Sequence, residues 1–512
     1  MEMSGPSESP QSFWFFALLP MALTLGWLAV TRRRLPPGPR GVPFIGSILS
    51  TEQLNHRGLA KLAERYGGLF LLHFAATRTV VVSSPEMARQ VLQVHDGVFS
   101  NRPATAAIRY LTYDRSDMAF ANYGPFWRQM RKLCVMKLFS RRRGESWASV
   151  RDETDAAVRA VAAAAAATPE ASVNVSELVF NLAKGIIYCA AFGLSSSEGQ
   201  DQFIAILQEF SKLFGAFNVA DFVPWLAPLD LHGLRKRMEA ARAALDGFID
   251  EIIDKHRVNP KATDDLNTDM VDEMIVFLGE TPAADGDELQ ASFKITRENI
   301  KAIIMDVMFG GTETVASAIE WVMAELMRSP EDMKRVQQEL AEAVGLDRKV
   351  NEGDIKNLSF LKCCIKETLR LHPPIPLLLH ETAEDCELAG YHIPARTTVK
   401  INVWAIARDR SAWEDADSFK PARFAAAEAP DFKGSCFEFI PFGSGRRSCP
   451  GMQLGLYALE MAVAQLLHCF NWELPDGMKP CDLDMSDVFG LTAPRAVRLV
   501  AVPSPRLTCS LI

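Results

Sequence analysis

Cysteine is scarce in this chain: ten residues in 512, at irregular spacing. A disulfide scaffold needs far denser cysteine, so the bulk of the chain is expected to face a reducing compartment. Excess positive charge is missing too. Lys and Arg number 55 against 63 Asp and Glu, a net charge of −8 with a pI near 5.7. Nucleic acid binding requires a basic face, so no nucleic-acid partner is expected. Internal repeats are absent, as are a P-loop and a dinucleotide-binding glycine fingerprint. The chain therefore has no recognisable site for its own NADPH or flavin. Tyrosine is rare as well, seven against thirty phenylalanines, which points to dry interior surfaces. What the chain has in plenty is apolar residues, at 48%. That supply excludes a disordered protein, because burial can offset chain entropy.

Residues 13–30 form an uncharged apolar run of 18, followed by Arg32, Arg33 and Arg34. As a helix it reaches about 27 Å, enough for a bilayer core. A cleaved signal peptide carries its basic residues before the apolar run, whereas here Glu2 and Glu8 precede it. The arginines then place everything after them in the cytosol. Leu35, Pro36, Pro37, Gly38 and Pro39 are read as a stiff spacer, neither helix nor flexible coil. The expected order is a lumenal terminus at 1–12, a transmembrane anchor at 13–30, a hinge at 31–45 and one catalytic domain at 46–512.

That domain reads as mainly α with a minor β-sheet. Helical periodicity is expected over 84–94, 127–139, 240–255, 295–328, 330–344, 358–371 and 452–469. Strand-like runs occupy 69–74, 79–82, 398–402 and 497–500. Linkers are expected at 155–169, whose alanine run 162–167 reads as helical or low-complexity surface, and at 258–290, an acidic loop that should enclose a short helix.

Four groups of residues carry chemistry. Gly443, Gly445 and Gly451 surround Cys449 just before a helix, a loop that lets backbone approach a flat ligand. A thiolate there gains from the helix dipole and amide donors, which must be Gly451 and Met452 because Pro450 has no N–H. Phe442 can pack on a ring edge and Arg447 can pair with a carboxylate. Second, Glu367 and Arg370 stand three apart on one helix face, with Arg423 downstream in a Lys420-Pro421-Ala422-Arg423-Phe424 run. Third, Phe309-Gly310-Gly311-Thr312-Glu313-Thr314 interrupts a long apolar helix with two glycines that cost about 1–2 kcal/mol in propensity. Thr314 can bond the Gly310 carbonyl and open the helix locally. Fourth, Trp127 and Arg131 share a helix face.

The order Phe442, Gly445, Arg447, Cys449, Gly451 resembles the haem-binding loop of the cytochrome P-450 superfamily, and the other three groups follow in that family's order. The anchor and hinge are similar to the plant microsomal type. Asn101-Arg102-Pro103-Ala104, 110–114, 119–128, 145–151, 309–321 and 379–385 look like the plant ferulate (coniferaldehyde) 5-hydroxylases. The resemblance implies the cytochrome P-450 fold and haem b, with the Cys449 thiolate as the iron ligand. It makes Trp127, Arg131 and, after Leu379, His380 contacts to haem propionates. Glu313 and Thr314 become the catalytic pair that guides protons, and Glu367, Arg370 and Arg423 a buried structural network. Ala422 departs from the family's usual acid, and Val315 from its second hydroxyl residue.

It further implies a single-pass protein of the endoplasmic reticulum membrane, in contact with lipid, receiving NADPH electrons from a separate NADPH–cytochrome P-450 reductase. The stretch 125–144, with Arg128, Arg131, Lys132, Lys137, Arg141, Arg142 and Arg143 and no acid until Glu145, suits docking of an acidic partner. The implied substrate is a small aromatic, a guaiacyl phenylpropanoid hydroxylated at ring carbon 5. Its pocket is expected from 108–119, 303–311, 374–379 and 490–493, with Thr112, Tyr113 and Thr492 as orienting groups. A flavonoid 3′-hydroxylase and a haem-thiolate isomerase or dehydratase are the alternatives.

Overall fold

The computed structural model describes residues 34–39, 54–74, 77–139, 148–167, 171–193, 199–216, 218, 221, 230, 233–259, 268–278 and 293–511. The anchor expected at 13–30 lies outside them. Helices dominate. Those that position the site are α1 (Pro125–Leu133), α2 (Ala148–Ala167), α3 (Val175–Phe192), α4 (Leu234–Val258), α5 (Arg297–Arg328), α6 (Pro330–Val344), α7 (Ser359–Leu371) and α8 (Met452–Cys469). A four-stranded sheet joins β1 (Leu69–Phe74), β2 (Thr77–Val82), β3 (Leu377–Glu381) and β4 (Thr398–Asn402) in the order β1-β2-β4-β3. β1–β2 is an antiparallel hairpin pairing Leu69 with Val82, β2–β4 is parallel and β4–β3 antiparallel. Among the described residues the other sheets are a three-stranded one and the hairpin Cys386–Leu388 with Tyr391–Ile393.

α5 is the spine. Nine of its first 12 residues and 13 of its last 14 are buried, while Phe309, Gly310 and Gly311 in the middle are more open. Thr296 caps it, with a reciprocal bond pair to Asn299. α3 runs against it so closely that a Cβ on Gly311 would lie 2.6 Å from Ile187 Cδ1. Gly310 has nothing within 4 Å of that position. The two glycines therefore differ in purpose: Gly311 admits the neighbouring helix and Gly310 leaves a hollow. The helix is not opened at Thr314; it stays α-helical from Arg297 to Arg328, and the Thr314 hydroxyl donates to the Gly310 carbonyl within the regular turn.

The expected helices 330–344 and 452–469 and strands 69–74 and 398–402 have the expected bounds. The 84–94 and 127–139 helices each end in a π turn, Gln90–Val94 and Cys134–Leu138. The strand expected at 497–500 runs instead over Val500–Pro505, because Leu499 is taken by the start of α3: its N–H donates to Ser176 Oγ and its carbonyl accepts from Val175. The alanine run takes the helical alternative and forms no linker: it is the end of α2, whose Ala157, Val158, Val161 and Ala162 are buried. Met270–Ile275 is the short helix expected within the acidic stretch.

α3 itself gives no periodic signal, since it is apolar on nearly every face. Both α3 and α5 are long and apolar enough to cross a membrane, but most of each is buried in the core. The described part of the proline-rich segment is pinned to the body. Leu71 N–H donates to Pro37 O, His392 N–H to Arg34 O, and a Cβ on Gly38 would stand 1.9 Å from Leu71 O. Only glycine permits that approach.

Candidate active site

The cysteine loop precedes α8. Gly443 and Gly445 have φ of +69° and +67°, a region L side chains rarely enter, and a Cβ at Gly445 would meet Leu92 O at 2.3 Å. Cys449 N–H donates to Phe442 O at 2.9 Å and closes the loop. Phe442 packs edge-on against Phe432 with ring centroids 5.6 Å apart. Burial is the largest influence on the Cys449 thiol and pushes its pKa up, while the Gly451 N–H and the Arg131 charge pull the other way. Of the two expected donors, Gly451 is the one aimed at sulfur. Cys449 is nevertheless accessible to solvent. A group that is both surrounded and accessible opens into an interior cleft. β3 borders the loop, with Leu378 reaching to within 3.6 Å of the Cβ position of Gly443, and α5 packs on the first turn of α8, with Val315 within 3.8 Å of the Cβ position of Gly455.

At one edge of this cleft cations crowd together. Arg447, Arg131, His380 and Trp127 meet there, and Arg102, which the sequence reading did not single out as a site residue, joins them. The Arg447 and Arg131 guanidinium groups lie 4.4 and 5.5 Å from the Trp127 ring centre. Burial followed by the Arg131 charge lowers Arg102 to about 10. Burial and then Arg102 lower Arg447 to about 9. His380 falls well below its usual value through burial and the charges of Arg102 and Arg447. Among the described residues none of these four groups forms an ion pair with an acid. They bond carbonyls instead: Arg102 to Leu379, Arg131 to Ser448 at 2.8 Å, and Arg447 to Ser100 at 2.7 Å and also to Met118 and Ala121.

Buried, mutually repelling cations are costly unless an anion joins them. This set fits a flat ligand bearing carboxylates beside a thiol, which is the chemistry of haem b. His380 Nδ1 lies 2.7 Å from Phe99 O and must carry a proton there, so Nε2 can donate to an anion only as imidazolium. The anion's own charge would favour that state.

Segment 116–121 links this edge to the spine. Trp127 Nε1 and Arg447 both donate to Met118 O, and Asp306 of α5 accepts from Met118 and Ala119 N–H at 2.9 Å each. Burial, then Asp117, holds the Asp306 carboxyl well above the usual range, and burial lifts Asp117 to about 7. Across the cleft, Phe309 contacts Phe214 with centroids 5.4 Å apart, and Phe214 contacts Phe120 at 6.1 Å. Phe214 carried no signal, being one apolar residue in an amphipathic helix.

The three groups expected to orient substrate are otherwise engaged. Thr112 Oγ1 donates to Ile108 O at 2.7 Å, Tyr113 Oη to Asp246 at 2.6 Å, and Thr492 Oγ1 to Glu313 at 3.0 Å. Glu313 thus meets Thr492, while Thr314 faces Gly310.

On the other side of the loop, Glu367 and Arg370 are wholly buried and joined by two bonds of 2.8 and 2.9 Å. Arg423 Nε and Lys420 N–H also donate to Glu367, at 2.9 and 2.8 Å. Ala422 is exposed, so the departure from an acid there leaves no buried partner wanting.

Residues 36–499 match the cytochrome P450 family model. The chain is 64% identical to Cytochrome P450 84A1 of Arabidopsis thaliana over 94% of both chains. It is 55% identical to Cytochrome P450 84A4 of the same plant, covering 97% and 98%. A solved zebra fish cytochrome P450 with progesterone superposes with a TM-score of 0.73 at 25% identity, over 88% of this chain and 99% of that one. With the cysteine loop, the hollowed helix and the cation edge in one frame along nearly its whole length, the chain belongs to the cytochrome P450 family and is a monooxygenase of the plant type.

Proposed function

We propose that the protein hydroxylates carbon 5 of a guaiacyl phenylpropanoid ring, in the branch leading to syringyl lignin. The observation that carries this reading is the 64% identity to Cytochrome P450 84A1 over 94% of both chains, joined to the local resemblance of 110–128 and 309–321. The family implies a haem-thiolate cofactor. When bound, haem supplies the one-electron chemistry that activates dioxygen. Cys449 would hold its iron, placed by the glycine loop with the Gly451 N–H on sulfur. Arg102, Arg131 and Arg447 would offer positive charge to its propionates, joined by His380 when protonated. The Trp127 indole, neutral and with its N–H spent on Met118 O, packs against the Arg131 and Arg447 guanidinium groups, and Phe442 would pack beside the ring edge. Glu313 and Thr314 hold and move protons on the α5 side.

The aromatic trio Phe120, Phe214 and Phe309 suits a planar ring. The pocket's other expected polar groups are spent on protein partners, so a carboxylate there would lose hydration without compensation. Arg109 does not supply it: it is exposed, and its charge acts on Asp221 and Glu381. Coniferaldehyde and coniferyl alcohol are therefore preferred over ferulate. The test is a panel assay in membranes holding this protein and a reductase, with products identified by mass. The guaiacyl aldehyde and alcohol are expected to gain one oxygen at carbon 5. Ready conversion of a flavonoid with all three guaiacyl compounds untouched would overturn the substrate and leave the monooxygenase standing.

The proposed setting is the endoplasmic reticulum membrane, with 13–30 as anchor, 31–45 as hinge and residues 46–512 as the haem-thiolate domain on the cytosolic side. The electron donor is a separate NADPH–cytochrome P450 reductase at the α1 face. Arg128 and Lys132 are exposed there, and Lys137 lies near the Phe277 ring at 5.9 Å. Arg131 turns inward and leaves the patch; Arg141, Arg142 and Arg143 lie outside the described residues. Reversing Arg128 and Lys132 to glutamate is expected to slow first-electron transfer about tenfold at low salt and flatten its salt dependence, since steering charges set association rates. Substrate binding should be unchanged. Stopped-flow reduction decides this, and an unaltered rate would remove the docking role.

A further inference from the structure

We propose that Thr492 is a positioning residue for Glu313, fixing the carboxylate from which protons enter the distal side of the cleft. This rests on the reading above that Glu313 supplies protons. Glu313 and Thr314 are consecutive on a helix, so their side chains leave it about 100° apart. The Thr314 hydroxyl spends its proton on Gly310 O and can only accept from the cleft. Glu313 turns the other way and receives the Thr492 hydroxyl on Oε2 at 3.0 Å. A glutamate has three rotatable bonds, and without such a tether its carboxylate is spread over several positions.

Thr492 is itself rigidly placed. It lies in the loop closed by the Asp487–Arg495 antiparallel bridge. Ala493 N–H donates to Pro374 O at 2.9 Å, Val488 N–H to Pro494 O at 3.0 Å, and Gly490 N–H to the carbonyl of Thr492 at 3.0 Å. The Trp321 indole N–H donates to Ala493 O at 3.1 Å. Trp321 is on the same helix as Glu313, buried, and stacked on His372 with centroids 3.8 Å apart. So α5 carries the carboxylate and also anchors the loop whose hydroxyl holds it. The neighbours Phe489 and Leu491 are 42% and 54% exposed, whereas Thr492 is 8% exposed. Within this apolar tip the threonine is the polar side chain turned onto the helix.

The test compares Thr492→Val, Thr492→Ser and Glu313→Gln in the full-length, haem-loaded protein with reductase, using coniferaldehyde as probe. Three quantities are read: hydrogen peroxide released per NADPH, product per NADPH, and the substrate Kd from the spectral shift on binding. Thr492→Val is expected to raise peroxide per NADPH about threefold to tenfold and to lower product correspondingly, a part of what a general acid contributes. Its Kd should stay within about twofold of the parent, and Thr492→Ser should restore coupling. Thr492→Ala replaces the valine variant if that one fails to load haem. Normal coupling in Thr492→Val beside an uncoupled Glu313→Gln overturns the positioning role alone. Normal coupling in Glu313→Gln overturns the proton-supply reading and the inference with it. A weakened Kd without added peroxide, or a serine variant as uncoupled as valine, also overturns it.

Discussion

Replacing Cys449 with alanine is expected to abolish the red-shifted Soret band of the reduced, carbon monoxide-treated protein and to reduce turnover to background. The loop does not need the sulfur for its shape. Its turn is set by Gly443 and Gly445 at positive φ and by the backbone bond from Cys449 N–H to Phe442 O, all of which alanine keeps. The variant should therefore fold, with a circular dichroism spectrum and thermal midpoint close to the parent's. The cations at Arg102, Arg131 and Arg447 remain to attract an anionic ligand, so some haem should still be retained. What disappears is the thiolate's electron donation, and the spectrum reports that alone. Cys449→Ser is the second arm, since oxygen in place of sulfur gives a different band. An unchanged red-shifted band in either variant would overturn the assignment of Cys449.

The parts of this site that the sequence reveals are those where chemistry forces a local spacing. Cys449 is legible because close backbone approach requires Gly443 and Gly445 within six residues of it, and the hollow in α5 because Gly310 and Gly311 are expensive in a helix. The parts it hides depend on contacts far along the chain. Arg102 has no periodic partner near it; its bond goes to Leu379, 277 residues away. Tyr113 looks available for substrate until the fold brings Asp246 of α4 to its hydroxyl, 133 residues on. Thr492 and Glu313, 179 apart, meet for the same reason. α3 is hidden by its composition, because apolar residues cover most of its faces and the open stripe at Glu177, Asn181 and Lys184 is too narrow to give the amphipathic period that marks helices at a surface. Arg131 carries two expectations, one in the basic stretch 125–144 by its charge and one facing inward by the resemblance, and the packing of the cysteine loop against α1 turns it inward.

Glu367→Ala is expected to be the most destabilising substitution outside the cleft, costing about 3–5 kcal/mol by stranding a buried charge. Glu367 and Arg370 have fully buried side chains. Arg370 also donates to Ala407 and Ala416 carbonyls at 2.7 Å each and lies 5.0 Å from the Trp413 ring centre. Removing the carboxylate leaves that guanidinium charged, dry and without a counterion, and frees Arg423 and the Lys420 N–H as well. Arg423→Ala should cost less, about 1–3 kcal/mol, because Arg370 and Lys420 still satisfy Glu367 and the Arg423 side chain is partly open. Against the 5–15 kcal/mol or so that holds a folded domain together, the first loss removes a large share. The network tethers α7 to the Pro421–Phe424 turn and touches neither the thiol nor the hollow of α5. Folded protein recovered at low temperature should therefore turn over normally per correctly ligated haem, while its thermal midpoint falls steeply. Denaturation curves and activity per intact haem separate the two roles: a normal midpoint with lost turnover would make Glu367 part of the chemistry, and an unchanged midpoint with normal turnover would remove its structural role.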